Sequence, residues 1–484
     1  MGNIVIKNLS FKYTDYIFKD LNLNINDNWR LGLIGRNGRG KTTFLKILLN
    51  ELEYKGHLDT SINFKYFPIY PEKGQYDTVE EMLLERNPLI ELWKVYKELS
   101  LIGLEIEILY RDFYALSGGE QVRILLIELF LEDNVFPLID EPTNNLDIEG
   151  RDIVYKYLNN KRGYIIVSHD RAFLNKTIDY VLSINKNNIE LLKGNIDTWE
   201  DEKKKSDKFT QEKNNILRKE IKRLDSVAQN MSSWGQSREK NSKDAFDKSR
   251  AAKHMKRSNA VVKRTEKKIE EKRSLLNNVE NVEVLKLDAG QLKKRVLSLR
   301  NFSIIVNDKP MFKPISVDLM PSDILFITGR NGIGKTTLIK FLLDPSCYKT
   351  IGDYHVQLPK DISFIEQQST GTKEFDKMFT ELSKAEKEKF LYLLHKLGMD
   401  KNNFYENRVN EWSDGEKKKL FIVESLLKKN SLFIWDEITN YLDFYVIDQL
   451  IETLSQTQPT MICIDHNEHF QKKLATKTVN LSPF

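Results

Sequence analysis

Three rhythms of apolar and polar residues run along this chain. The first is a set of short unbroken apolar runs. LGLIG at 31–35 and ILFITG at 324–329 read as buried strands, and each leads through a glycine-rich loop into a helical pattern, TTFLKILLN or TTLIKFLLD. LIDE at 138–141 and IWDE at 434–437 are apolar strand ends that finish on two carboxylates. GYIIVSHD and TMICIDHN are a second pair of strand patterns, each finishing near a histidine. The second rhythm is helical, as in EQVRILLIELFLE at 120–132. Strand, loop and helix in that order predict a layered α/β unit with a largely parallel sheet in each half.

The third rhythm is a heptad, and it fills the middle. Leu217, Ile221, Leu224, Ala228 and Met231 advance by 4, 3, 4 and 3, and Met255, Val262, Ile269 and Leu276 stand seven apart. Neither Gly nor Pro occurs in 198–234, and Gly235 is the only one before 290. The pattern predicts two helices of about 35 residues, each about 50 Å long at 1.5 Å per residue, folded back as an antiparallel coiled-coil hairpin. The expected domains are 1–197, 198–288 and 289–484.

The two α/β halves are copies. GRNGRGKTT at 35–43 returns as GRNGIGKTT at 329–337, an offset of 294. LSGGE at 116–120 returns as WSDGE at 412–416, and LIDEPTNNLD at 138–147 as IWDEITNYLD at 434–443, both offset by 296. VSHD at 167–170 returns as IDHN at 464–467, offset by 297. Four landmarks in one order and nearly one spacing are a duplication.

Composition narrows the class. The 484 residues are 40% hydrophobic, enough to build cores for several domains. Cys347 and Cys463 cannot form a disulfide framework or a Cys-rich metal site, and they suit a reducing cytoplasm. No run of 18 apolar residues exists to span a membrane. The opening MGNIVIKNLS lacks the apolar region of a signal peptide, and Ile6 stands where myristoylation needs Ser or Thr.

Net charge is +5, but residues 201–280 hold 23 Lys or Arg against 13 Asp or Glu, so the rest of the chain is acidic. Within 231–264 the count is ten against three. A charge run is usually a solvated linker. The heptads and the local excess at the far end of the hairpin argue instead for a polyanion partner. RNA fits better than duplex DNA, since no base-reading module is recognisable and a narrow tip suits structured RNA. The candidate contacts are Trp234, Arg238, Lys243, Lys248, Arg250, Lys253, Lys256 and Arg257.

Each copy carries one chemistry. Gly35, Gly38 and Gly40, like Gly329, Gly332 and Gly334, let the backbone curl so that its N–H groups converge on phosphate oxygens at a helix start. Asn37 and Thr43, with Asn331 and Thr337, belong to the same two ATP-binding loops. Lys41 and Lys335 are expected to bridge the β- and γ-phosphates, and Thr42 and Thr336 to offer a hydroxyl to Mg²⁺. Asp140 and Asp436 would hold Mg²⁺ through water, Glu141 and Glu437 would polarise the attacking water, and His169 and His466 would face the γ-phosphate. His466 and His469 are spaced like metal ligands, but no third ligand accompanies them, so a separate metal is not expected there. Ser117, Gly118, Gly119 and Glu120 open a second anion-binding helix start, matched by Ser413, Gly415 and Glu416. A simple phosphate-loop ATPase has no use for one.

With that signature the chain resembles the ATP-binding-cassette superfamily, over about 390 of its 484 residues. The resemblance implies an α/β fold of two P-loop ATPase domains in tandem, joined by the helical hairpin, with ATP and Mg²⁺ as cofactors. It also implies two composite sites within a monomer. One takes Lys41, Thr42, Asp140, Glu141 and His169 from the first cassette and Ser413, Gly415 and Glu416 from the second. The other takes Lys335, Thr336, Gln367, Asp436, Glu437 and His466 from the second and Ser117, Gly118 and Gly119 from the first.

The sites should differ. Ile69 stands where the family has a Mg²⁺-sensing Gln, which the second copy supplies as Gln367, and Asp414 replaces a signature glycine. Tyr13 is expected to stack on adenine in the first site, whereas its counterpart near Val306 is apolar and leaves Phe312 as a weak substitute. Pro137 must lie at the start or edge of its strand.

Two fused cassettes without a membrane span, DEPTNNLD, and SRAAKHMKRS on the return arm resemble the ABC-F subfamily. Its members bind ribosomes at the tRNA exit site and push the linker tip toward the peptidyl-transferase centre, so the partners implied are 23S rRNA and P-site tRNA, and the location cytoplasmic. Only 76 and 78 residues separate each phosphate-loop lysine from its signature serine, and 18 follow His466. That leaves no room for the arm of housekeeping translation factors or for a C-terminal extension. The stripped form is most similar to the bacterial antibiotic-resistance members, which protect ribosomes from lincosamides, streptogramin A and pleuromutilins. The rival expectations are a housekeeping ABC-F factor and the ATPase subunit of an exporter. An iron–sulfur recycling ATPase would need more cysteines.

Overall fold

The computed structural model describes residues 2–13, 16–132, 134–144, 146–185, 189–240, 256, 262–265, 267, 284–367, 379–399 and 412–484. The chain divides into two compact units: Met1–Ile196 with Val282–Phe484, and Asp197–Asn281. The first holds both α/β lobes.

In the first lobe the apolar runs become neighbouring strands. Asn63–Phe67, Val135–Asp140, Tyr164–Val167, Arg30–Ile34 and Tyr180–Ile184 lie parallel in that order, and Ile189–Lys193 closes the edge antiparallel. Such strands are covered on both faces, so they read as near-continuous Val, Ile and Leu. Leu31, Leu33, Leu138, Ile165 and Leu182 are buried with Phe44, Leu45 and Leu48 of the helix Lys41–Leu48. Pro137 sits inside its strand but ahead of the ladder to Tyr164–Val167, which begins at Leu138, so its missing N–H breaks no rung there. A smaller antiparallel sheet pairs Asn3–Lys12 with Tyr16–Asn26 and Lys55–Asp59.

The second lobe repeats the plan. Ile362–Ile365, Leu432–Asp436, Met461–Ile464, Ile324–Gly329 and Lys477–Leu481 run parallel in that order. Leu297–Val306 pairs antiparallel with Lys309–Pro310, Ile315–Leu319 and Lys349–Val356. Leu285 and Leu287 are buried in this lobe's helical core beside Phe390, Leu393 and Trp412, so its packing begins ahead of position 289. In both lobes the phosphate loop, the paired carboxylates and the histidine leave the same ends of adjacent parallel strands, which is what brings them together.

The other unit carries the unbroken helix Ile196–Lys240, of 45 residues, and residues 262–265 are helical as well. The long helix exceeds the expected arm because it runs through Gly235, a substitution of Gly into a helix costing only about 1 kcal/mol. Asn214 and Ile221 are buried and Leu217 and Leu224 half-buried, while Arg218, Lys219, Glu220, Lys222 and Arg223 are exposed. This covered stripe follows the predicted heptad. Among the described residues no helix is long and apolar enough to cross a membrane.

Candidate functional site

Both phosphate loops are built alike. The helix Lys41–Leu48 starts after Gly40, whose φ of 92° favours glycine and where a Cβ would lie 2.5 Å from Ile17 Cγ2. Gly334 precedes Lys335–Leu343 with φ 105°. Lys41 Nζ folds back on the Gly35 carbonyl at 2.8 Å and Asn37 Oδ1 at 3.2 Å. Lys335 Nζ reaches the carbonyls of Gly329 (2.8 Å) and Arg330 (3.1 Å) and Asn331 Oδ1 (3.3 Å). Burial lowers the pKa of both ammonium groups. The hydrogen bonds of each go to neutral oxygens, with carboxylates acting from farther off (Asp443, Glu141 and Asp140 on Lys41; Glu437, Asp147 and Asp436 on Lys335), an arrangement that an anion would complete.

The carboxylates follow. Glu141 and Glu437 both take the left-handed backbone, φ 53° and 49°, uncommon for such residues. Their amides donate to Val167 O (2.8 Å) and Ile464 O (2.7 Å), which fixes each at a strand end. Gln367 Nε2 and Asn440 Nδ2 each donate to Glu437 Oε2 at 2.8 Å. Among the described residues Glu141 Oε2 accepts only the His169 amide, at 3.3 Å. His169 Nε2 stands 3.3 Å from Glu141 Oε1, a proximity without hydrogen-bond geometry, because that buried oxygen has no partner among the described residues. Burial, with Asp140 beside it, raises the Glu141 carboxyl to about 8. Burial lowers His169 and His466 to about 3, so both rings are neutral at ordinary pH. Neither ring nitrogen of His466 has a hydrogen-bond partner among the described residues.

The cation positions differ between lobes. Thr336 Oγ1 donates to Asp436 Oδ2 at 2.9 Å, and Asp436 Oδ1 is buried with no hydrogen-bond partner among the described residues. A hydroxyl beside an orphaned carboxylate oxygen suits a hard divalent cation such as Mg²⁺. Asp140 is more satisfied: Tyr66 Oη donates to Oδ2 at 3.0 Å, and Thr42 bonds it as well. Nothing in the sequence pattern marks Tyr66. Its hydroxyl reaches Asp140 because Asn63–Phe67 pairs in register with Val135–Asp140. In the other lobe Gln367 lies against Glu437 rather than Asp436.

The two lobes meet through these loops. A cavity of about 500 Å³ is lined by Tyr13, Gly38, Lys41, Thr42, Thr43, Asp140, Glu141 and His169 from the first lobe and by Ser413, Asp414, Gly415 and Tyr441 from the second. The cavity brings together the residues expected to form the first composite site, except Glu416, which is not in its lining. Tyr13 is 62% exposed, its ring packed edge-on against Phe11 at 4.9 Å, whereas Phe312 is fully buried in the second lobe's core. Phe312 is therefore no platform for a base. A Cβ on Gly415 would lie 2.6 Å from Tyr441 O and 3.0 Å from Asn37 Nδ2, so the glycine is what lets the signature turn approach the opposite loop.

Asp147 and Asp443 have no role assigned by the sequence, although both stand in the duplicated NNLD and NYLD. Each caps the helix that follows with one oxygen, at 2.8 Å to Gly150 N and 3.1 Å to Val446 N. The other oxygen crosses the interface. Asp443 Oδ2 accepts from Asn37 N and Asp147 Oδ2 from Asn331 N, both at 3.0 Å. Asn37 Nδ2 also donates to Tyr441 O, and Arg330 pairs with Glu149 at 2.8 Å. Ser117 and Ser413 cap their own helices in reciprocal boxes with Glu120 and Glu416. Asp147 and Glu149 thus reach the second phosphate loop from the first lobe, while Gly118 and Gly119 stand at the start of the Ser117 helix.

Of the candidate RNA contacts, Lys256 is helical and exposed, and Trp234 and Arg238 lie on the helix Ile196–Lys240. Lys243, Lys248, Arg250, Lys253 and Arg257 lie outside the described residues.

The ABC transporter family model matches residues 18–144 and 312–440, together more than half of the chain. The chain is 26% identical to the ribosome protection protein VmlR of Bacillus subtilis (strain 168), over 99% of this chain and 86% of that protein. It is 24% identical to the energy-dependent translational throttle protein EttA of Haemophilus influenzae, over 95% of this chain and 88% of that protein. Among solved structures, a model of ribosome-bound archaeal Pelota and ABCE1 matches with a TM-score of 0.60 and 18% identity, covering 94% of this chain and 72% of that one. That likeness is one of fold.

Proposed function

The chain belongs to the ABC transporter family, in its ABC-F branch, and is an ATPase; from this we propose that it is a cytoplasmic ribosome-binding protein that protects the peptidyl-transferase centre from antibiotics. The observation that carries the ATP-driven part is the cavity lined by the phosphate loop of one lobe and the signature turn of the other. ATP there, with Mg²⁺ at Asp140 and Asp436, would bind the lobes together, and hydrolysis would release them. Lys41 and Lys335 would neutralise the β- and γ-phosphates as the transition state spreads charge over them. Glu141 and Glu437 would orient and polarise the attacking water, and neutral His169 and His466 would bond the γ-phosphate. The signature helix starts, at Ser413 and Ser117, would each supply N–H groups to the nucleotide of the other lobe.

The ribosomal reading rests on the likeness to VmlR and on the basic centre of the chain. The hairpin tip would approach 23S rRNA and P-site tRNA near the exit site and alter the site where lincosamides, streptogramin A and pleuromutilins bind. The likeness to EttA favours a second reading, a housekeeping translation factor. A minimum-inhibitory-concentration panel in a susceptible host separates them. Protection by the chain, lost in a Glu141→Gln/Glu437→Gln version, is the expected result. No protection from any drug, together with ATP-dependent co-sedimentation with ribosomes, would favour the housekeeping role.

A further inference from the structure

We propose that Lys418 is a positioning residue that couples the two nucleotide sites in one direction, tying the Gln367 turn of the second site to the helix whose start lines the first. The inference rests on the site assignments above. Lys418 lies one turn into the helix Asp414–Leu427 and is only 5% exposed. A lysine buried to that degree must find acceptors. Its Nζ donates to the carbonyls of Glu366 (3.4 Å) and Gln367 (3.3 Å). The Gln367 side chain in turn donates to Glu437 at 2.8 Å. Asp465, Glu437 and Asp436 all act electrostatically on the same ammonium, against the burial that lowers its pKa. At the other end of this turn, Ser413, Asp414 and Gly415 line the cavity that holds Lys41, Glu141 and His169. One side chain therefore touches the backbone of the second site's sensing loop while riding on the element that closes the first site.

The first lobe has no lysine at the matching position. Val122 occupies the matching position, buried and apolar, and Ile69 stands in place of Gln367. That lobe ties its signature helix to the same loop differently. Arg86 Nη1 joins Glu128 Oε2 at 2.9 Å to Ile69 O at 3.2 Å, far along the helix Gly118–Leu131. Ile69 has no polar side chain with which to carry that contact on to a carboxylate. Filling of the second site should thus be felt at the first through Lys418, and the reverse path stops at Ile69, which has no polar side chain to carry it on to Glu141.

The test measures equilibrium binding of a fluorescent ATP analogue, mant-ATP, in a Glu141→Gln/Glu437→Gln background, where hydrolysis does not intervene and the new amide oxygen at 437 can still accept from Gln367. First-site affinity is compared with the second site open and with it blocked by Lys335→Ala. The ratio is a coupling factor, expected to be about 5 or more. Lys418→Met and Gln367→Ala should each cut that ratio by about threefold or more, and the pair no further than either alone, because they remove one path. Lys418→Arg should keep most of it. A merely structural lysine would lower the melting temperature and shift both affinities together, leaving the ratio in place. If Lys418→Met does not fold, Lys418→Gln, which keeps a donor without the charge, carries the same reading. An unchanged ratio in Lys418→Met or Lys418→Gln, or cuts that multiply in the pair of Lys418→Met with Gln367→Ala, would overturn the proposal. Binding that persists when Lys41→Ala is added to Lys335→Ala would instead overturn the site assignment itself.

Discussion

Glu141 and Glu437 occupy the same backbone corner of two lobes in different company. Among the described residues Glu437 accepts two side-chain amides, whereas Glu141 has a single backbone donor and a buried oxygen with no hydrogen-bond partner. The raised pKa of Glu141, about 8, makes a prediction about stability. Between the unfolded value of about 4.5 and the folded value, the unfolded chain ionises this group while the folded protein retains the proton. Stability from this residue is therefore complete below about pH 4.5 and is lost as pH rises toward 8. Glutamine stays neutral in both states. In nucleotide-free protein, the melting-temperature advantage of Glu141→Gln over wild type should grow from pH 5 to pH 8 and then level off. A pH-independent difference would show that this carboxyl is not perturbed. A second prediction concerns turnover. With Gln367 on Glu437, the Asp436 oxygen that has no partner among the described residues and no Gln at position 69, the second site is expected to be the faster one. Glu437→Gln alone should therefore lower the ATPase rate more than Glu141→Gln alone, and equal losses would refute the asymmetry. Residue identity at these corners was legible because each carboxylate follows a recurring apolar run. Tyr66 was not, because its contact with Asp140 depends on strand register, which the short, half-exposed edge strand NFKYF does not encode.

At the scale of elements, the helices that begin after Asp147 and Asp443 look alike in sequence and are not equivalent in energy. Both aspartates cap, and losing such a cap costs about 1 kcal/mol. Asp443 is in addition the anionic neighbour of Lys419, at 3.9 Å, and both side chains are only 3% exposed. Removing one member of a buried pair strands the other charge, at a cost of about 3–5 kcal/mol. Asp443→Ala should thus lower the melting temperature well beyond Asp147→Ala, and Asp443→Ala with Lys419→Met should recover part of the loss. Similar melting temperatures for the two single variants would show that Lys419 is satisfied elsewhere. The parallel strands and the helices of the duplicated lobes were readable from apolar runs and their period. What the sequence could not supply was the partner of each capping aspartate. Asn37 and Asp443 are 406 positions apart, and no periodicity connects them. The length of Ile196–Lys240 exceeds the sequence expectation as well, because Gly235 reads as a break yet is carried within the helix.

At the scale of the whole molecule, the duplication accounts for the lobes and leaves the basic centre to be explained by a partner. Lys and Arg exceed Asp and Glu by ten to three across 231–264, while the chain outside 201–280 is acidic. A solvated linker would need no such segregation. Binding to a polyanion through these residues would release counterions, and each neutralised phosphate contributes about 0.7 to 0.9 to the salt slope of binding. Replacing Arg250, Lys253, Lys256 and Arg257 with Gln should weaken co-sedimentation with ribosomes and flatten that slope by this amount for every phosphate left without its cation. ATP hydrolysis without ribosomes should persist, since the phosphate loops, carboxylates and histidines all lie in the lobes. Deleting residues 235–247 is a different intervention, because it removes length while sparing those four cations. Ribosome binding should then survive, and protection from every drug in the panel should disappear with the shortened reach. If the shortened protein still protected ribosomes, the tip would not be the effector, and the basic residues would serve only to seat the chain on RNA.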